Sequence, residues 1–146
     1  MGVVKFKRFF RVAGGLEVDK SDLVRYDDFI HQTLYDLLVR ADAISQANER
    51  GVIDVIDLPV TAGLQKCVHI FEKLDEEIDL EPILERLATH PPLDRLVGES
   101  AEAELPRIAG GLSVALARAF TIIDPKLVNP STPHWEQAFE LFGLLV

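Results

Sequence analysis

One stretch of about thirty residues, from about Asp19 to Arg50, constrains this chain more than anything else in it. Leu23, Tyr26, Ile30, Leu34, Leu37, Ala41 and Ile44 follow one another there in steps of three and four. That spacing predicts a single helix, roughly 45 Å long, with one continuous apolar seam. Such a seam needs partners, and the flanking sequence supplies short helices on both sides. Upstream, Val3 to Ala13 places Phe6, Phe9, Phe10 and Ala13 on one stripe, and Gly14-Gly15 stops the helix. Asp19 or Ser21 is positioned to cap the long helix. Downstream, Gly51 ends it and Val52-Ile53-Asp54-Val55-Ile56 reads as a strand-like connector. Asp57 is expected to cap a third helix with Pro59 in its first turn and Val60, Leu64, Val68, Phe71 and Leu74 inside.

The same short-long-short order then repeats more weakly. Asp79 opens a short helix with Ile83, Leu84 and Leu87, closed by His90-Pro91-Pro92. A second long helix is predicted from a Ser100 cap to Ile123, with Pro106 kinking it or marking its start. Its inner positions are Leu105, Ile108, Leu112, Leu116, Ala119 and Ile123. Gly110 and Gly111 each cost about 1 kcal/mol in a helix interior. With Ala109, Ser113, Ala115 and Ala117 they make a small-residue zone that would let the two long helices cross closely. Thr132 is expected to cap a last helix with Pro133 at its first position and Trp135, Phe139, Phe142 and Leu145 on its apolar face. The reading is all-α: one domain, 1–146, of two interlocked halves, 1–78 and 79–146, meeting at the acidic Asp75-Glu76-Glu77.

At 146 residues the chain can bury a core without staples. No uninterrupted apolar run approaches the length of a membrane span, and the N-terminus lacks a leader pattern. Cys67 is the only cysteine, so a reducing cytoplasm is the expected setting, with the nucleoid as an alternative, and a buried apolar role is favoured for it. Fifteen basic residues stand against 24 acidic ones, a net charge of −9. Both halves are acidic, so long-range attraction to phosphate is disfavoured unless cations gather on one face.

The helix order, together with Ala47-Asn48-Glu49-Arg50 through Val55-Ile56-Asp57-Leu58, resembles a histone fold, in particular an archaeal histone's central helix and following loop. "LYDLLVRA" (Leu34 to Ala41), "DLPVTAGLQ" (Asp57 to Gln65), "LEPILERLATHPPLD" (Leu80 to Asp94) and "NPST" (Asn129 to Thr132) resemble a bacterial family of unknown function in which two histone folds are fused into one chain. The resemblance implies a pseudodimer with crossing central helices and a structural ion pair between Arg50 and Asp57. It also marks the departures. Gly51 and Val52 stand where histones place lysine and threonine against phosphate, Asp54 lies nearby, and Pro125 replaces the second loop's arginine, leaving Lys126.

The sequence thus offers one candidate phosphate grip: Lys5, Lys7, Arg8 and Arg11, followed by Lys20 and Arg25. The bland alternative is a solvated basic face, and it is favoured. A membrane-surface role for the first helix is disfavoured, since its phenylalanines are needed in a core. Asp28-x-x-His31 has no second copy of the kind a di-metal bundle uses, so no metal or cofactor is expected. No nucleophile elbow or phosphate-binding glycine loop occurs, and an enzyme is not expected. The expectation is a non-enzymatic structural or protein-interaction module, meeting a protein partner or a second copy through its outer helices. DNA binding through the basic first helix is the alternative.

Overall fold

In the computed structural model, which describes residues 1–145, the chain is mostly helical and runs short-long-short twice. The first unit has α1 (Val3–Gly14), α2 (Lys20–Ala47) and α3 (Ala62–Lys73), the second α4 (Leu80–Leu87), α5 (Glu99–Ile123) and α6 (Thr132–Leu145). Two short strands, β1 (Val52–Ile53) and β2 (Leu96–Val97), join the connectors in a parallel pair, Val52 against Leu96 and Ile53 against Val97. At the other end the two remaining loops meet through one main-chain bond, Glu17 N–H to Val128 O at 2.7 Å. Each unit's loops are thereby tied to the other unit's.

Helix boundaries follow their caps. Asp19 accepts from the amides of Ser21 and Asp22, and Asp22 reaches back to the Asp19 amide, a reciprocal box that fixes the start of α2. The helix ends at Ala47, short of the expected Arg50, because Asn48 caps it and Glu49 turns into the left-handed region at φ 59°. The expected cap at Asp57 is corrected. Asp54 and Asp57 box a 3₁₀ turn, Val55–Asp57, which consumes half of the expected strand, and Thr61 caps α3 through the Leu64 amide at 3.1 Å. Gly98 occupies the N-cap of α5, and the Ser100 hydroxyl instead reaches Asp54 Oδ1 at 3.3 Å. Pro106 sits inside a continuous α5. Thr132 is the first helical residue of α6 rather than its cap, and its hydroxyl accepts from Arg25 Nη2.

The core joins α1 to both long helices. Phe6, Phe9 and Phe10 are fully buried, with Phe6 and Phe10 against the Tyr26 ring. By length and apolarity alone α5 could cross a bilayer, more than its interrupted sequence suggested. Its apolar side chains are spent instead in the core, from Leu105 to Phe120. Within the small-residue zone the two glycines have a different role from the one expected. A β-carbon built at Gly110 would clash with the ring of Phe71, and one at Gly111 would lie 2.6 Å from Val68 Cγ2. These glycines admit α3, not the other long helix. The α2–α5 contact includes a polar pair: the Tyr26 hydroxyl donates to Ser113 Oγ at 2.7 Å, and Ser113 donates to Ala109 O.

Candidate functional site

The cations singled out in the sequence have diverse fates. Arg8 is engaged by Glu76 through two parallel bonds, Nε to Oε1 at 2.9 Å and Nη2 to Oε2 at 3.0 Å. This contact folds the acidic junction back over α1. It closes between residues 68 apart, so no local pattern announces it. Arg25 is held by the Thr132 hydroxyl at 2.7 Å. Lys5 is half-buried, whereas Lys7, Arg11 and Lys20 point to solvent. The corresponding short helix of the second unit, α4, carries exposed Glu81 and Glu85, and its Arg86 bonds Asp28 at 3.0 Å. The two short helices therefore present opposite charge.

Arg50 donates to Asp57 from Nε at 3.0 Å and from Nη2 at 2.8 Å, while the Asp54 amide donates to the same carboxylate at 2.9 Å. Asp57 is fully buried, and the bonds from Arg50 hold its carboxyl below the usual range. The network continues across the strand pair. Arg95 Nε donates to Arg50 O at 2.9 Å, Arg95 Nη1 reaches Asp42 at 3.3 Å, and the Asp94 amide donates to Asp42 at 2.9 Å. Sequence reasoning missed Arg95 and Asp42, whose partners lie in the other unit.

Three arrangements bear on catalysis. Ser131, His134 and Asp124 form a line, with Ser131 Oγ 2.8 Å from His134 Nδ1 and His134 Nε2 3.5 Å from Asp124. The Ser131 amide also donates to Nδ1 at 3.0 Å, so the imidazole lone pair a base would need is held by the main chain. This is a helix cap at the start of α6. His31 is buried on α2 beside a cavity of about 130 Å³ reached by Lys5 and Asp27. Its Nδ1 has no hydrogen-bond partner, and burial, aided by the charge of Arg86, lowers its pKa to about 4. The imidazole is neutral at pH 7. Burial pushes the Cys67 thiol up, away from nucleophilic use. Among the described residues no three His, Cys, Asp or Glu side chains stand close enough to hold a metal ion.

One wide open feature is apolar. A groove of about 1010 Å³ runs between α2, α3 and the end of α6, with Leu37, Val39, Leu64, Leu112 and Phe142 on its walls and Cys67 on its side. A second depression, about 500 Å³, lies across Phe142 from it, between α2 and α6, with Phe29, Thr33, Arg86 and His90 around it. Val39 and Leu145, which line the first groove, are exposed, as are Leu141 and Leu144 on α6.

These features define an all-α protein of two short-long-short helical units, locked through their loops. The chain belongs to the family described as Domain of unknown function (DUF1931), whose family model matches residues 6–143. The crystal structure of a protein from Thermus thermophilus superposes with a TM-score of 0.95 at 45% identity, covering 100% of this chain and 99% of that one. A crystal structure of an Aquifex aeolicus protein shares the fold, with a TM-score of 0.82 at 22% identity over 98% of this chain and 94% of the other. An uncharacterized protein of Aquifex aeolicus (strain VF5) is 25% identical over 111 residues, 76% of this chain. The chain spans 65% of that relative's length.

Proposed function

We propose that this protein is a non-enzymatic, fused pair of histone folds that serves in the cytoplasm as a protein-interaction module. Helix order, the exchange of loop pairings between the two units and the Arg50–Asp57 pair in the loop after α2 support the histone relation. One contrast carries the functional reading. Arg8, Arg25 and Arg50 are engaged within the molecule, while a groove of about 1010 Å³ on its surface is apolar. An exposed apolar groove on a protein surface marks an interaction site more than a nucleic-acid one. Fusion already supplies the contact that separate histone chains make with each other, so any further partner meets the outside.

A nucleoid role keeps one specific support: Lys7 and Arg11 on α1 and Lys20 at the start of α2 face solvent. Fluorescence anisotropy of a labelled duplex, titrated from low to physiological salt, separates the two readings. The interaction module predicts flat anisotropy even at low salt. Micromolar binding with a log–log salt slope of about −4 to −5 would overturn it. Loss of that binding on changing Lys5, Lys7, Arg8 and Arg11 to glutamine would place the grip on α1.

A further inference from the structure

The contact that holds Arg8 shows what the basic face of α1 takes. Glu76 grips the guanidinium with both carboxylate oxygens, at 2.9 and 3.0 Å. Its side chain is 6% exposed although Arg8 is 57% exposed, so the carboxylate is tucked in and the cation stays at the rim. Two parallel bonds of this kind are also how a guanidinium holds a phosphate. The residues on either side of Glu76 act on the same helix. Asp75 adds its negative charge to the surroundings of Arg8, and Glu77 shares with Lys5 the walls of the small cavity beside His31.

The backbone is built to aim this segment. Asp75 has a φ of 54°, a left-handed conformation that a residue other than glycine seldom adopts, and it turns the chain where α3 ends. Leu74 before the turn and Ile78 after it both pack against the core, which pins the acidic run at its two ends. With the run seated, three carboxylates oppose Lys5, Lys7, Arg8 and Arg11. Without their charge, α1 would present four cations between residues 5 and 11. An exposed ion pair contributes little to stability, so the run can lose its charge without unfolding the protein.

We propose that Asp75-Glu76-Glu77 is an autoinhibitory strap that occupies α1 in the place of a phosphate backbone, and that α1 binds duplex DNA once the strap is neutralised. This rests on the interaction-module reading, in which the intact protein leaves DNA alone, and supplies a cause for it. The test is anisotropy of a labelled duplex at about 50 mM salt, using the full chain with Asp75→Asn, Glu76→Gln and Glu77→Gln. Binding at least about ten-fold tighter than any shown by the wild type is expected, with a log–log salt slope of about −3 to −4 from the four cations. A control with Glu49→Gln, Glu136→Gln and Glu140→Gln makes the same three-unit change in the net charge of −9 at exposed positions outside α1 and the strap, and should match the wild type. Adding Arg8→Gln and Arg11→Gln to the strap variant should remove the gain. Glu76→Gln alone keeps the shape of the side chain and should give a smaller gain of the same sign, with circular dichroism checking that each variant is folded. A folded strap variant that binds no tighter than the wild type overturns the proposal, as does a control that gains as much. Wild-type binding with a further ten-fold gain in the strap variant would overturn the interaction-module reading and leave the strap standing. Flat anisotropy from both would do the reverse.

Discussion

Replacing Gly110 with alanine isolates the contact that seats α3 on α5. The added methyl would clash with the ring of Phe71, which is 6% exposed and wedged between α1 and α5, in contact with Phe9. Overpacking of this kind costs about 1–3 kcal/mol, and here the ring must leave its place because the obstacle is the ring itself. Alanine returns about 1 kcal/mol of helix propensity, and losing part of the burial of Phe71 adds about 1–2 kcal/mol. The net expectation is destabilisation of about 2 kcal/mol. For 146 residues at about 2.1 cal/mol/K per residue, that lowers the melting temperature by about 7 °C. Urea unfolding followed by circular dichroism gives the number directly.

The cause is tested by a cycle with Phe71→Ala. Alone, that change should cost about 3–5 kcal/mol through the cavity it leaves. In the double variant the new methyl enters the cavity, so the pair should be less destabilised than the sum of the singles by about 2 kcal/mol. Gly63→Ala is the control, since a β-carbon there meets nothing within 4 Å and should stabilise α3 by about 1 kcal/mol. Additivity of Gly110→Ala and Phe71→Ala within about 0.5 kcal/mol would refute the reasoning.

Two further outcomes concern pH. His31 has its pKa lowered from 6.5 to about 4 in the fold, so the unfolded chain binds its proton first. Its contribution to stability is complete above about pH 6.5 and is lost as pH falls toward 4, by about 1–2 kcal/mol at pH 5. His31→Leu should flatten unfolding free energies across that window, and an unchanged slope in the variant would refute the assignment. Asp57 acts in the same direction at lower pH, because its folded pKa also lies below the usual value, here 3.8. The stability it contributes is present above pH 3.8 and disappears only as pH falls through the lower folded value. Asp57→Asn should therefore lower stability at neutral pH and reduce the acid dependence below about pH 4, as read by urea unfolding at several pH values.

The helices were legible because their signals are local. The seam from Tyr26 to Ala41 is buried as its spacing requires. Asp19 caps α2 because a carboxylate one residue before a helix has few better partners than its free amides. What escaped the sequence is what depends on distance. Arg8–Glu76, Arg95–Asp42 and Trp135–Asp22 join residues at least 53 apart, and nothing in periodicity selects one carboxylate over another. The Asp57 error is local instead, since a carboxylate in a connector fits a 3₁₀ box as well as a helix cap. Ser131 and His134 carry a cap in a histidine spacing that local rules for glutamate would pass over. The apolar groove was visible only as apolar residues on the outer helices, because its shape is set by how far α6 stands from α2.

That stand-off has a physical origin in the difference between the two long helices. α5 carries Gly110 and Gly111 where α3 arrives, so Phe71 and Val68 sink onto its backbone. α2 has no glycine anywhere along its length, and α6 meets it through large rings instead. Phe29 stacks on Phe139, with ring centroids 5.3 Å apart and planes 2° from parallel, and it meets Phe142 edge-on. Trp135 is fixed by its indole N–H to the buried carboxylate of Asp22 at 2.9 Å. One outer helix thus lies flush and the other is propped on aromatic rings. Grooves open on either side of Phe142 for that reason. Two identical chains could not make this division, since each long helix would have to receive its partner in the same way. A single chain holding both units is free to seat one helix tightly and leave the surface beside the other exposed.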